Sequence, residues 1–273
     1  MATCSVDLHH GLARDGGRQT TVTLRALTGA DELAAFEEAL PAARTTRLLG
    51  ATMVDLDVAA ARTLTLGDRA RLLLSLNALS FGAEQDALLT CAACGETAEL
   101  TLDLATTLPV PADPPPETGT ITGTITAETP AGCLTIQYKV PNGHDLERAA
   151  AEAARQPASA GATLLQACVM SITGPDGAPF ADALRWVEEP VADAIRAADP
   201  AAETMLHAAC PHCGAALRCY LDAQALLEGR IGRYDAVLGD VHRLARGYHW
   251  HEADILALPV ARRRRYLSLL DAA

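Results

Sequence analysis

"TCAACGETAEL" (Thr90–Leu100) and "ACPHCGAALRCYL" (Ala209–Leu221) decide how this chain is read. Each holds two cysteines three positions apart, a glycine directly after the second, and then a short alternating run. A CxxC turn presents two thiolates on one tight loop, and the following glycine lets the chain turn back so that backbone N–H groups face the sulfurs. Two such turns with matching context predict one four-cysteine site made by Cys91, Cys94, Cys210 and Cys213. Four thiolates complete a tetrahedral Zn2+ and leave no open position, so the expected ion is structural, not catalytic.

The pairs are separated by 115 residues. Loop closure costs only about 0.6 kcal/mol per doubling of length, so the excursion is affordable, but it has to be a subdomain inserted between the knuckles. The composition changes at Leu108, where "PVPADPPPETGTITGT" (Pro109–Thr124) reads as a linker. The expected organisation is a flexible N-terminus over 1–19, a helical region carrying the first knuckle over 20–107, an inserted α+β subdomain over 108–205, and the second knuckle with C-terminal helices over 206–273. The fold class is α+β and mainly helical, with a zinc ribbon built from the two distant knuckles.

Local signals fill in this plan. "TTVTLRAL" (Thr20–Leu27) reads as a strand, and Thr28 with Asp31 as a capping box opening a helix. Arg44–Met53 suits a second short helix. Thr65 and Asp68 repeat the cap signature before the leucine-rich helix that runs to Gly82. "AELTLDL" and "CLTIQYKV" alternate as strands. "NGHDLERAAAEAAR", "ATLLQACVMSI" and the run from Glu188 to Pro200 read as helices, as does most of the chain after Asp222 with a break at Pro259. Aromatics are only 4% while alanine is abundant, so the helices should pack through small side chains.

The formal charge of −12 argues against a nucleic-acid or anionic-membrane partner, and no segment has the length of a membrane span. Without a signal-like N-terminus the expected location is cytoplasmic, where eight cysteines serve as ligands or buried thiols before disulfides. His207, His212 and Cys219 lie near the second knuckle as neighbours. Cys168 reads as core, while Cys4 and Cys133 have no partner at ligand spacing. Residues 229–273 carry a net +3 against −15 for the remainder. The consecutive Arg262, Arg263, Arg264 and Arg265 are candidate partner-binding residues, although four in a row on a helix cannot share one face. "YHWHEADILAL" (Tyr248–Leu258) reads as a turn whose aromatics anchor the next helix, with Trp250 in the core. No nucleophile, base or phosphate-loop spacing appears.

"LTLGDRARLLLSLN" (Leu64–Asn77), the "CAACG" knuckle, "KVPNGHDLERAA" (Lys139–Ala150), "AADPAAETMLHAACPHCG" (Ala197–Gly214) and "VHRLARGYHWHEADILALPVARRRRYLSLL" (Val241–Leu270) together carry a resemblance. The chain resembles the T4-type baseplate proteins of contractile phage tails and phage-tail-like injection particles, from about Thr20 to Leu270. That resemblance implies a non-enzymatic structural or assembly protein, partnered by other baseplate or tail proteins, with no small-molecule substrate. The competing readings are a zinc-ribbon adaptor for nucleic acid or another complex, and a thiol enzyme using one CxxC.

Overall fold

The protein is described from a computed structural model, over residues 2–14, 17–104, 107, 121–130, 132–180 and 184–272. The chain opens with an antiparallel hairpin of β1 (Thr3–Arg14) and β2 (Gly17–Arg25). The flexible N-terminus expected over 1–19 is therefore a correction. Val6, Leu8, His10 and Leu12 alternate inward and are buried, so the segment has a period-2 apolar face that pays for its ordering.

The body follows. Thr28 caps α1 (Gly29–Ala35) in a full capping box with Asp31, as the sequence predicts. Then come α2 (Pro41–Thr52), α3 (Val58–Thr63, capped by Asp57) and the long α4 (Leu66–Phe81). Leu72, Leu73, Leu74 and Leu76 of α4 enter the main core with Leu24, Leu27, Leu48, Leu49 and Leu64. Three of these leucines are consecutive and so point to different sides of the helix, and no residue of α4 is exposed.

The first turn of α4 is where distant parts of the chain meet. Thr65 accepts the Asp68 N–H at 3.3 Å as an N-cap. The Asp68 carboxylate does not complete a box. It accepts instead the backbone N–H groups of His9, His10 and Gly11 at 2.7, 3.0 and 2.8 Å. Those three residues form a bulge in the β1–β2 ladder, with Gly11 at φ +66°, which turns the N–H groups toward the carboxylate. A side chain at Gly11 would meet the Gln19 carbonyl oxygen at 2.5 Å, so only glycine fits.

After α4, β3 (Glu84–Thr90) and β4 (Thr97–Asp103) form a second hairpin. Most of the predicted linker at Pro109–Thr124 lies outside the described residues. Its last residues belong to β5 (Thr122–Thr129), which pairs with β6 (Gly132–Lys139) and through it with β7 (Val169–Thr173) in an antiparallel sheet of order β5-β6-β7. The helix α5 (Gly143–Arg155) is capped by Asn142 in a box with Asp145, and α6 (Ala160–Cys168) stops at Val169. The run "VMSI" thus departs from its helical reading; its β-branched residues extend the sheet beside β6. The helix α7 (Leu184–Ala198) lays Val187 and Val191 on Leu134, Ile136 and Tyr138 of β6, giving the excursion its own core.

Asp199, just past α7, brings the excursion back to the body. The last hairpin, β8 (Met205–Ala209) with β9 (Ala216–Tyr220), follows. Then α8 (Ala223–Glu228), α9 (Tyr234–Tyr248), α10 (Glu252–Leu256) and α11 (Val260–Asp271) close the chain, the last two broken at Pro259 as expected. Trp250 sits at the edge of a small C-terminal core, not inside it. It stacks on Tyr248 at 4.8 Å and meets Tyr266 edge-on at 4.9 Å. The architecture is mixed α+β, with 48% helix and nine strands among the described residues.

Candidate metal centre

The two cysteine turns have the same local construction. In the first, the Cys91 N–H bonds the Glu96 carbonyl at 2.9 Å and the Gly95 N–H bonds the Cys91 carbonyl at 2.8 Å. In the second, the Cys210 N–H bonds the Ala215 carbonyl at 2.8 Å and the Gly214 N–H bonds the Cys210 carbonyl at 2.9 Å. Gly95 and Gly214 hold φ of +77° and +74°, a left-handed bend that glycine adopts without steric cost. Each turn ends one hairpin, and the two hairpin ends face each other.

All four sulfurs lie within 4.8 Å of one another. Cys91 and Cys213 are 3.7 Å apart and Cys94 and Cys210 are 3.8 Å apart. A tetrahedral ion bound by thiolates at about 2.3 Å requires sulfur–sulfur edges of about 3.8 Å. The cross-hairpin distances therefore suit one shared ion, and they are too long for disulfides. Cys91 and Cys210 are buried, while Cys94 and Cys213 line the exposed side. Among the described residues this is the one group of three or more candidate ligands close enough to share a metal.

The electrostatics fit the same use. The N–H groups of Cys94 and Ala93 point at the Cys91 sulfur and bring its thiol down to about 6. For Cys94 the Glu96 N–H acts in the same direction, but desolvation and the three neighbouring sulfurs outweigh it and push the thiol up to about 12. Cys213 is also raised: the Ala215 N–H favours its thiolate, and desolvation with the sulfurs of Cys91 and Cys210 prevails. Crowded thiols resist holding several negative charges at once, and a divalent cation removes that repulsion by replacing the protons.

The apolar support under the turns is small. Cys91, Ala98, Cys210 and Leu217 make up its buried part, with Leu100, Ala208 and Ala215 at its margin. So few side chains cannot hold two two-stranded hairpins together in water. His212 is engaged elsewhere, its Nε2 lying 3.3 Å from the Thr97 carbonyl across the gap between hairpins. Cys219 faces Leu206 in the β8–β9 ladder, and Cys168 is a core thiol whose burial raises it to about 11.

The four arginines separate as helix geometry demands. Arg263 is 1% exposed and pairs with the fully buried Glu32 and, at 3.2 Å, with Asp240. It is a link between α1, α9 and α11, which corrects its reading as a surface residue. Arg264 donates to the Arg230 carbonyl at 2.6 Å and lies over the Phe81 ring at 4.8 Å. Arg262 reaches the Tyr266 hydroxyl at 3.2 Å, and Arg265 is exposed. The acids that claim Arg263 were invisible in sequence, because Glu32 lies 231 positions away.

A family model described as T4 bacteriophage base plate protein matches residues 13–219. That span takes in both cysteine turns and all of the excursion between them, and stops before the C-terminal helices that the sequence resemblance also included. A search of curated proteins gives no match, and neither does a search of solved structures. No helix among the described residues is long and apolar enough to cross a membrane. With three quarters of its length inside one family model, the chain belongs to the T4 bacteriophage base plate protein family.

Proposed function

We propose that this chain is a non-enzymatic structural or assembly protein of a contractile-tail baseplate, and that Cys91, Cys94, Cys210 and Cys213 hold one structural Zn2+. The observation that carries the metal reading is the pair of cross-hairpin sulfur distances, 3.7 and 3.8 Å, at the edge length of a tetrahedral thiolate site. On this reading the β3–β4 and β8–β9 hairpins form a zinc ribbon. Residues 108–205 are the subdomain inserted into it, between a first part over 20–107 and a last part over 206–273. Four sulfurs fill the coordination sphere, so the ion supplies folding energy and presents no position to a substrate. The partners are other baseplate or tail proteins, met in the cytoplasm where the particle is built. Family membership supports that assignment, and the net charge of −12 disfavours the alternative of a nucleic-acid adaptor.

The test has two parts. Metal analysis of the purified chain is expected to give one zinc per molecule, and Cys210→Ser to abolish it. A well-folded wild-type chain with no stoichiometric metal overturns the ribbon. Disrupting the gene in its native host is expected to leave tail particles without a complete baseplate when imaged by electron microscopy. Normal particles overturn the assembly role.

A further inference from the structure

Two exposed surfaces of the chain are complementary in charge and in spacing. The outer face of the β3–β4 hairpin presents Glu84, Asp86 and Leu88 along one strand, with Glu99 directly across from Leu88. Leu88 is 70% exposed in the middle of these acids. No ion pair reaches the three carboxylates among the described residues, although Asp86 accepts the Thr101 hydroxyl at 2.9 Å. Covering Leu88 with an apolar side chain while bringing cations to these carboxylates would be favourable on both counts.

The other surface is the outer stripe of α11. Arg262, Arg265 and Leu269 stand at i, i+3 and i+7, opposite the helix face that buries Val260, Arg263 and Leu267. Leu269 is 45% exposed. In the helix, Arg265 and Arg262 lie about 6 and 10 Å from Leu269 along the axis. In the strand, Asp86 and Glu84 lie about 7 and 14 Å from Leu88. A guanidinium on its long stem spans the few ångströms of difference.

We propose that a second copy of this chain docks the α11 stripe on the acidic hairpin face, Leu269 against Leu88 and the two arginines against Asp86 and Glu84, with Glu99 close to the apolar contact. Both halves of the match are on the same chain in the same order, which favours a second copy over an unrelated basic protein. The contact joins two different surfaces, so each added copy leaves one of each free; copies add head to tail until a ring closes or a filament grows. The molecules repel as wholes at −12 each, and the contact works within a Debye length of about 8 Å at physiological salt. This goes beyond the baseplate assignment; none of the docking residues is a metal ligand, but their hairpin is one that the proposed ion holds, so the association is measured on the metal-loaded chain.

Sedimentation velocity on the full chain, over a range reaching tens of micromolar at physiological salt, tests it. The average mass is expected to rise with concentration and to fall again at about 1 M salt, where screening is within about 3 Å. Leu88→Asp and Leu269→Asp should each weaken association at least tenfold. An equimolar mixture of the two variants retains one good junction and should stop at a dimer. Circular dichroism checks that both variants fold, and Arg265→Glu supplies a second disruption of the helix side. A wild-type chain that remains monomeric throughout, a variant that assembles like wild type, or a mixture that gives no dimer overturns the proposal. Binding to another protein without self-association overturns it as well.

Discussion

The Asp199 carboxylate accepts the Gly67 backbone N–H at 2.8 Å, although 132 residues separate them. Asp199 is 1% exposed, and His10 Nε2 lies 3.7 Å from its other oxygen while bonding the Ala198 carbonyl at 3.0 Å. The carboxylate therefore fastens the end of the excursion to the start of α4, where the helix dipole favours negative charge.

Burial raises Asp199 from 3.8 to about 6, against the opposing N–H of Gly67. Between those two values the folded chain binds the proton more tightly than the unfolded chain does. Stability from this group is therefore greatest at low pH and falls as pH rises from about 4 to about 6, by roughly 3 kcal/mol in all. His10, lowered mainly by burial, acts in the opposite sense, which makes the difference between variant and wild type the quantity to measure. Asp199→Asn keeps an acceptor for Gly67 but cannot ionise. Its stability deficit relative to wild type should shrink by roughly 2–3 kcal/mol between pH 4 and pH 7 in urea unfolding. A deficit that does not change with pH contradicts this account.

Glu32→Ala should be among the most damaging single changes in the body. It leaves Arg263 without its fully buried partner and also strips the Gly232 N–H of its 2.9 Å acceptor. Breaking a buried pair from one side costs about 3–5 kcal/mol. Replacing both residues by methionine should recover a large part of that loss in chemical denaturation, because no buried charge is then stranded.

Chelation should act locally. The main core and the core of the excursion contain none of the four cysteines, whereas the buried cluster under the hairpin ends is only Cys91, Ala98, Cys210 and Leu217. Removing the proposed ion is expected to abolish hydrogen-exchange protection in residues 84–103 and 205–220 while most of the helical circular dichroism persists. Global unfolding on chelation would mean that the hairpins support the body, contrary to this division.

Gly50→Ala tests packing against propensity. Alanine in the interior of α2 gains about 1 kcal/mol of helix propensity. Yet a Cβ at Gly50 would sit 2.6 Å from the Val58 Cα and 2.7 Å from its backbone nitrogen, which cannot move without shifting α3. Overpacking of this kind costs about 1–3 kcal/mol, so the net effect on thermal denaturation should be a lower midpoint.

The local signals read well from sequence. The Thr28–Asp31 box, the α4 leucines and the paired knuckles each lie within a few residues of one another, and periodicity or spacing alone reveals them. The convergence of four sulfurs could be expected because both turns carry the same Cys-x-x-Cys-Gly pattern followed by an alternating run. The misreadings arose where neighbours in space decide the outcome. One inward position of β1 is the polar His10, which hides the apolar alternation, and the N–H groups of His9 and His10 bind Asp68 in α4. The strand β7 continues directly from a helix and is fixed by β6. Glu84–Thr90 alternates too, but its exposed positions are two acids, a leucine and a threonine, a pattern that blurs the apolar face. Arg263 looks like its three neighbours until Glu32 and Asp240 are placed beside it.

Three separate stretches converge on the opening turn of α4: the β1 bulge at Asp68, the start of α5 through the Asn142–Thr65 bridge, and the end of α7 through Asp199. The three-stranded sheet is consequently tethered at two points to the same stiff rod. A pull on that sheet arrives as tension at the head of α4, with little slack to absorb it, and the rod hands the load directly to the leucine interior.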